Sequence, residues 1–187
     1  MNERSKVTPN RVQPDTPVRA APGGGAPVKF VSLPSSARGC CVLSACEILA
    51  TLSCALFAGA AIYINLVEHP ARMGCDTKIA AAVWAPSYAR ATVMQASLAI
   101  VSLLSGAAAW LLGGGTLWVV GAVLIGLVVP FTFVAIMPTN KQLLAPGRDL
   151  ASSETRALLE KWAELHAVRS ALSFAATLIF IWSLPGA

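Results

Sequence analysis

Charge is what this sequence has least of. Only 12% of its 187 residues are Asp, Glu, Lys or Arg, about half the share in a water-soluble domain, which argues against an ordinary soluble globule. Disulfides are lacking as well: the five cysteines, Cys40, Cys41, Cys46, Cys54 and Cys75, make no paired framework, no C-x-x-C and no metal-type spacing. Cys40 and Cys41, close to Arg38, suit either palmitoylation at a membrane edge or two unmodified thiols. A secretory signal is not expected, because the first apolar run starts only near residue 42, and the prolines and acids of residues 1–39 fit a transit peptide poorly. The net charge of +5 is unevenly spread. Residues 1–39 hold six basic side chains against two acids, so the pI of 9.2 belongs to a tail and implies no nucleic-acid-binding face on a folded domain.

What is abundant is apolar length: 56% of the residues are hydrophobic and the mean hydropathy is +0.65. Residues 1–39 are rich in Pro and Gly, show no apolar period and cannot bury enough surface to offset chain entropy, so they read as disordered. Four apolar runs follow, at 42–64 and about 91–112, 116–137 and 163–184. As a helix each spans about 33 Å, enough to cross the hydrocarbon core, and a helix satisfies its own backbone groups in lipid. The expected fold is all-α, a four-helix antiparallel transmembrane bundle with a disordered N-terminal tail, hence an integral multi-pass membrane protein. Its transmembrane domain is residues 40–187, with helices expected at about 42–66, 87–112, 116–137 and 153–184.

Proline and serine set these limits. Pro70 disfavours helix at His69 and should end the first helix there. Ser87 after Pro86 reads as the cap of the second, Pro130 lies inside the third, Pro138 follows it, and Ser152-Ser153 open the last. Gly113-Gly114-Gly115 leaves room only for a tight antiparallel hairpin. An even helix count then gathers the two long polar loops, 65–90 and 138–162, on one side of the membrane. Basic residues divide six against seven between the two sides, so the positive-inside rule sets no orientation. A long polar tail without a signal is easier to leave in the cytosol, where both termini are expected.

Polar side chains collect at the loop end. They are Asn65, Glu68, His69 and Arg72 after the first run; Tyr88, Arg90 and Gln95 at the second; Asn140 and Lys141 after the third; and His166 and Arg169 in the fourth. Glu47, Thr51, Cys54, Ala58, Ala61, Asn65 and Glu68 recur at alternating spacings of four and three, a narrow stripe of small and polar residues facing the bundle interior. Trp162, His166, Arg169 and Ser173 share a face of the last helix, and Tyr88 and Gln95 align on the second. Such stripes converge on a cavity suited to a hydrophobic molecule with polar substituents. Each residue also has a structural reading. Arg169 can snorkel or pair with Glu68, Glu68-His69-Pro70 can simply terminate a helix, Asn140-Lys141-Gln142 can be a solvated loop, and Tyr88, Arg90 and the tryptophans can anchor at the interface or pack. Two histidines and a carboxylate could hold iron, but Glu68 and His69 are adjacent and would diverge on a helix, so no metal site is expected.

Four segments, Asn65-x-x-Glu68-His69-Pro70-Ala71-Arg72, Arg90-Ala91-x-x-Met94-Gln95, Pro138-Thr139-Asn140-x-x-Leu143 and Trp162-x-x-x-His166-x-x-Arg169, resemble the anthrone oxygenase family of small four-helix membrane proteins. The resemblance covers about residues 43–184. It implies oxidation of an anthrone to an anthraquinone by O2 without metal, haem or flavin, so no cofactor is expected and the partners are a lipophilic small molecule, O2 and the bilayer. Such chemistry needs a base titrating near neutrality, His166 first and His69 second. It also needs cations for the phenolate (Arg169, Arg90, Arg72, Lys141) and groups that orient ring oxygens (Asn65, Gln95, Asn140), with Glu68 and Tyr88 completing the substrate site. The alternative is a non-enzymatic membrane protein that binds a lipid-like ligand or a partner subunit.

Overall fold

The computed structural model of the chain describes residues 35–184, all of whose regular structure is helical. Helix α1 begins at Ser35–Tyr63, passes through a π-helical turn, Ile64–Glu68, and ends as His69–Met73. Helix α2 is Thr77–Leu111. Helix α3 comprises Thr116–Phe131, a second π turn, Thr132–Ile136, and Met137–Leu143, and α4 is Ser153–Ser183. Each helix packs on its neighbour in sequence and α4 closes the ring on α1, giving the four-helix antiparallel bundle. All four are long and apolar enough to cross a membrane. The expected tail lies outside the described residues up to residue 34, and α1 begins at Ser35, inside the stretch assigned to it.

The bundle is built inside out relative to a soluble one. Leu111 and Val134 are 75% and 78% exposed, on faces that lipid would cover, while Ala50, Cys54, Ala61, Ala109 and Ala122 are buried. Small interior residues let helices approach closely where lipid is as apolar as leucine and burial alone gives no drive. Gly121 shows the approach at its tightest, since a Cβ there would lie 2.5 Å from the Phe180 ring. At the opposite end from the long loops, Gly113 (φ +94°) and Gly115 (φ +100°) take the left-handed backbone that the hairpin between α2 and α3 requires.

Three proline boundaries differ from the sequence expectation. Helix α1 does not stop at His69; it runs through Pro70 to Met73. Helix α3 runs through Pro138 to Leu143. In each, the π turn ends immediately before the X-Pro pair, with His69 N–H donating to Ile64 C=O and Met137 N–H to Thr132 C=O. A proline ring clashes with the carbonyl four residues back, and widening that turn accommodates it without ending the helix. Helix α2 starts at Thr77, not Ser87, and carries Pro86 internally. Ser87 therefore caps nothing and is free to bond across to α1. Helix α3 starts at Thr116 and α4 at Ser153, both as the sequence signals, the latter with Ser152 Oγ accepting from Thr155 N–H.

Candidate functional site

Two apolar clusters divide the bundle lengthwise. One lies toward the Gly113–Gly115 hairpin and includes Phe57, Ala99, Ile125, Val128 and Ala176; the other lies toward the loops and includes Ile64, Trp84, Ile136, Leu159 and Trp162. Between them runs a polar layer. On α2, Gln95 falls between Ala91 and Ala99; on α4, His166, Arg169 and Ser170 fall between Trp162 and Ala176. The layer lies near the charged end of the apolar spans. Gln95 is five residues beyond Arg90 and Asn65 three before Glu68, the charged residues that bound the apolar spans, so it sits within about 8 Å of that charged boundary.

His166 is 1% exposed. Its Nδ1 lies 2.6 Å from Asn65 Oδ1, which also accepts from Ser170 Oγ at 2.7 Å. Asn65 Nδ2 donates to the Ala163 carbonyl at 3.1 Å, which fixes the amide with its oxygen toward the imidazole. An amide oxygen only accepts, so Nδ1 carries the proton and the neutral ring keeps its lone pair on Nε2. One turn further, Arg169 Nη2 donates to Gln95 Oε1 at 2.9 Å, and its guanidinium stands 5.4 Å from the centre of the Phe57 ring.

Closer to the loops, Glu68 accepts from Arg72, an ion pair, and from Ser87 Oγ at 2.6 Å. Glu68 is thus committed to Arg72 and not to Arg169. His69 is buried, and neither ring nitrogen meets a hydrogen-bond partner among the described residues. The Trp162 indole packs against both imidazoles, with ring centres 5.5 Å from His69 and 4.7 Å from His166. Among the described residues no three His, Cys, Asp or Glu side chains assemble as metal ligands.

Two adjoining spaces open on the polar layer. A narrow cleft of about 10 Å³ is lined by Arg72, Trp84, Ser87, Tyr88, Gln95, Trp162, His166 and Arg169, among others. A larger cavity of about 120 Å³ shares Tyr88, Thr92, Gln95 and Arg169 with it and continues between α2 and α3 along Phe57, Ala96, Ala99, Val128, Val129, Thr132, Phe133 and Met137. Thr92, Ala96, Val129 and Phe133 are exposed, so this cavity opens sideways, toward lipid.

Of the residues expected at a site, the structure brings together Asn65, Glu68, Arg72, Tyr88, Gln95, His166 and Arg169. His69 lies behind Trp162 and lines neither space. Asn140 is buried with both amide atoms unpartnered, and also lines neither. Lys141 is exposed on the outside of α3. Arg90 is exposed and lines an outer groove between α1 and α2 instead. Sequence reading missed Ser170, although its four-residue spacing from His166 puts both on one face, and Ser87, which the assumed cap at Pro86 had turned away. It assigned the tryptophans to anchoring or packing; Trp84, Trp118 and Trp162 are buried, and two of them also wall the cleft, while Trp110 and Trp182 are exposed.

No curated protein and no solved structure matches the chain. A family model does: the one described as anthrone oxygenase matches residues 84–179, a stretch that holds Tyr88, Gln95, Asn140, His166 and Arg169 and omits the α1 segment from Asn65 to Arg72. That match spans just over half the sequence, including Gln95 of α2 and His166 and Arg169 of α4, and on it this chain belongs to the anthrone oxygenase family.

Proposed function

We propose that this protein is a membrane-embedded oxygenase that oxidises a lipophilic aromatic substrate, anthrone- or phenol-like, with O2 and no cofactor. The hydrogen-bonded chain of Ser170, Asn65 and His166 is the observation that supports the reading best, because it prepares a neutral imidazole with Nε2 free beside a buried guanidinium. The cavity between α2 and α3 offers apolar walls for ring faces, and its open side suits a planar molecule that arrives from the bilayer.

The chemistry balances as one CH2 plus O2 giving one C=O plus water. His166 Nε2 takes a proton from the activated CH2, and Arg169 holds the oxygen on which the enolate charge settles. The enolate passes one electron to O2, and the radical pair joins as a peroxide that takes back the proton. Loss of the second hydrogen of that carbon with the outer oxygen releases water and leaves the ketone.

Oxygen uptake by purified protein in nanodiscs, screened against an anthrone panel, tests the reading. His166→Ala should abolish uptake in a protein that still inserts and folds; undiminished uptake would remove His166 as the base. No uptake with any anthrone would replace the enzyme by its alternative, a membrane protein that binds a lipophilic ligand without turnover. One equivalent of iron or copper in the active preparation would overturn the cofactor-free part.

A further inference from the structure

Five of the side chains that line the narrow cleft carry a buried N–H with nothing to donate to. Arg72 Nε, Trp84 Nε1, Gln95 Nε2, Trp162 Nε1 and Arg169 Nε are each buried without a hydrogen-bond partner among the described residues, and all five side chains line this one space. A buried N–H left unpaired has given up its bond to water for nothing, so five on side chains around one cleft are a standing penalty unless something accepts from them. The charge is unbalanced in the same sense. Arg72 has Glu68, but Arg169, 9% exposed, has no carboxylate among the described residues, only the neutral Gln95 amide and the Phe57 ring. A buried cation at membrane depth calls for a counter-charge. The cleft has room for about one heavy atom, and it opens through Tyr88, Thr92, Gln95 and Arg169 into the larger cavity, where an attached ring system could lie.

We propose that the cleft is an oxyanion site: it binds the ionised oxygen of a phenol or enol, with Arg169 as its counter-ion and the Trp84, Trp162 and Gln95 N–H groups as donors, while the rings occupy the cavity between α2 and α3. The ligand's identity rests on the oxygenase reading; the preference for an anion rests on the donors alone. The site selects substrates that ionise, and discriminates against their O-alkylated forms, which bring no charge.

The test compares 4-nitrophenol with its methyl ether, 4-nitroanisole, on the whole protein in zwitterionic nanodiscs, with empty discs subtracted. Binding is read by quenching of Trp fluorescence and by the visible absorbance of the phenolate. The phenol should bind at least about tenfold more tightly than the ether and stay bound as phenolate at a pH where the free probe is protonated. Arg169→Gln should erase that difference. Equal binding of phenol and ether, or a bound probe that is neutral, would overturn the proposal, as would displacement of the probe by chloride at physiological concentration, which would make the cleft an inorganic-anion site. Phenolate binding without oxygen uptake upholds the oxyanion site and retires the oxygenase; uptake without a phenolate preference does the reverse.

Discussion

The side chains of the polar layer are coupled in pairs, so their substitutions should not act alike. Among the described residues Asn65 is the sole hydrogen-bond contact that sets the His166 tautomer, and it also accepts from Ser170. Asn65→Leu leaves His166 Nδ1–H buried and unpaired and Ser170 Oγ with only the His166 carbonyl of its own helix, which should destabilise the protein by about 1–3 kcal/mol. It also frees the imidazole to exchange tautomers, so oxygen uptake should fall further than the loss of folded protein explains. Thermal unfolding and uptake per folded molecule, measured on one preparation, check both halves. Gln95 separates charge from shape. Gln95→Leu removes the one acceptor from Arg169, a charge-assisted bond of about 1.5–3 kcal/mol. Gln95→Glu instead supplies a carboxylate at almost the same volume. The melting temperature should rise above that of Gln95→Leu, and the preference for an ionised ligand should vanish, because the cation is then already neutralised. A Gln95→Glu protein that still selects phenolate would show that Arg169 is not the counter-ion.

At the scale of elements, the two π turns explain what the sequence disclosed and what it hid. The apolar runs and their 3.6-residue stripes were legible because they answer to one requirement, a greasy outside and a small or polar inside; the Glu47-to-Glu68 stripe contains no exposed residue. The boundaries at Pro70 and Pro138 were not legible, because proline ends a helix in water more readily than in a bundle where a neighbouring turn can widen, and Pro86 is carried inside α2 without such a turn. The widening matters for the site, since Asn65 and Glu68 lie within the first π turn and Thr132, on the cavity wall, opens the second. π turns are single-residue insertions, so deletion of Leu66, 74% exposed in the first of them, should restore α geometry and press Pro70 against a carbonyl at a cost of about 3 kcal/mol. Combining that deletion with Pro70→Ala removes the clash, and stability should recover while activity does not, because Asn65 no longer has the widened turn that aims it. A double-mutant cycle on unfolding and uptake measures this; simple additivity of the two changes in stability would break the link between proline and π turn.

For the whole molecule, the placement of the site at one membrane face was legible from topology alone. Four spans with a three-glycine hairpin between the middle pair put both long loops on one side, and Asn65, Gln95, His166 and Arg169 meet below them. Pairings across the layer were not legible: on paper Arg169 could snorkel or pair with Glu68, whereas it bonds Gln95, and the choice depends on helix rotation that one sequence does not encode residue by residue. The arrangement still makes a prediction that needs no substrate. Cys40 and Cys41 lie at the outer end of α1 and Cys75 follows its other end, all three exposed, while Cys54 is buried between α1 and α4. Helix α1 is long and apolar enough to cross a membrane, and a single crossing puts Cys75 on the opposite side from Cys40 and Cys41. In sealed vesicles of one orientation, a membrane-impermeant maleimide should label either Cys75 or the Cys40–Cys41 pair, never both, and detergent should expose the remainder. If both termini are cytosolic, Cys75 reacts from the non-cytosolic face, and the oxyanion cleft opens toward that leaflet. Labelling of Cys75 and Cys41 from the same side would mean that α1 does not span, and the polar layer would lose the membrane boundary that gives it its depth.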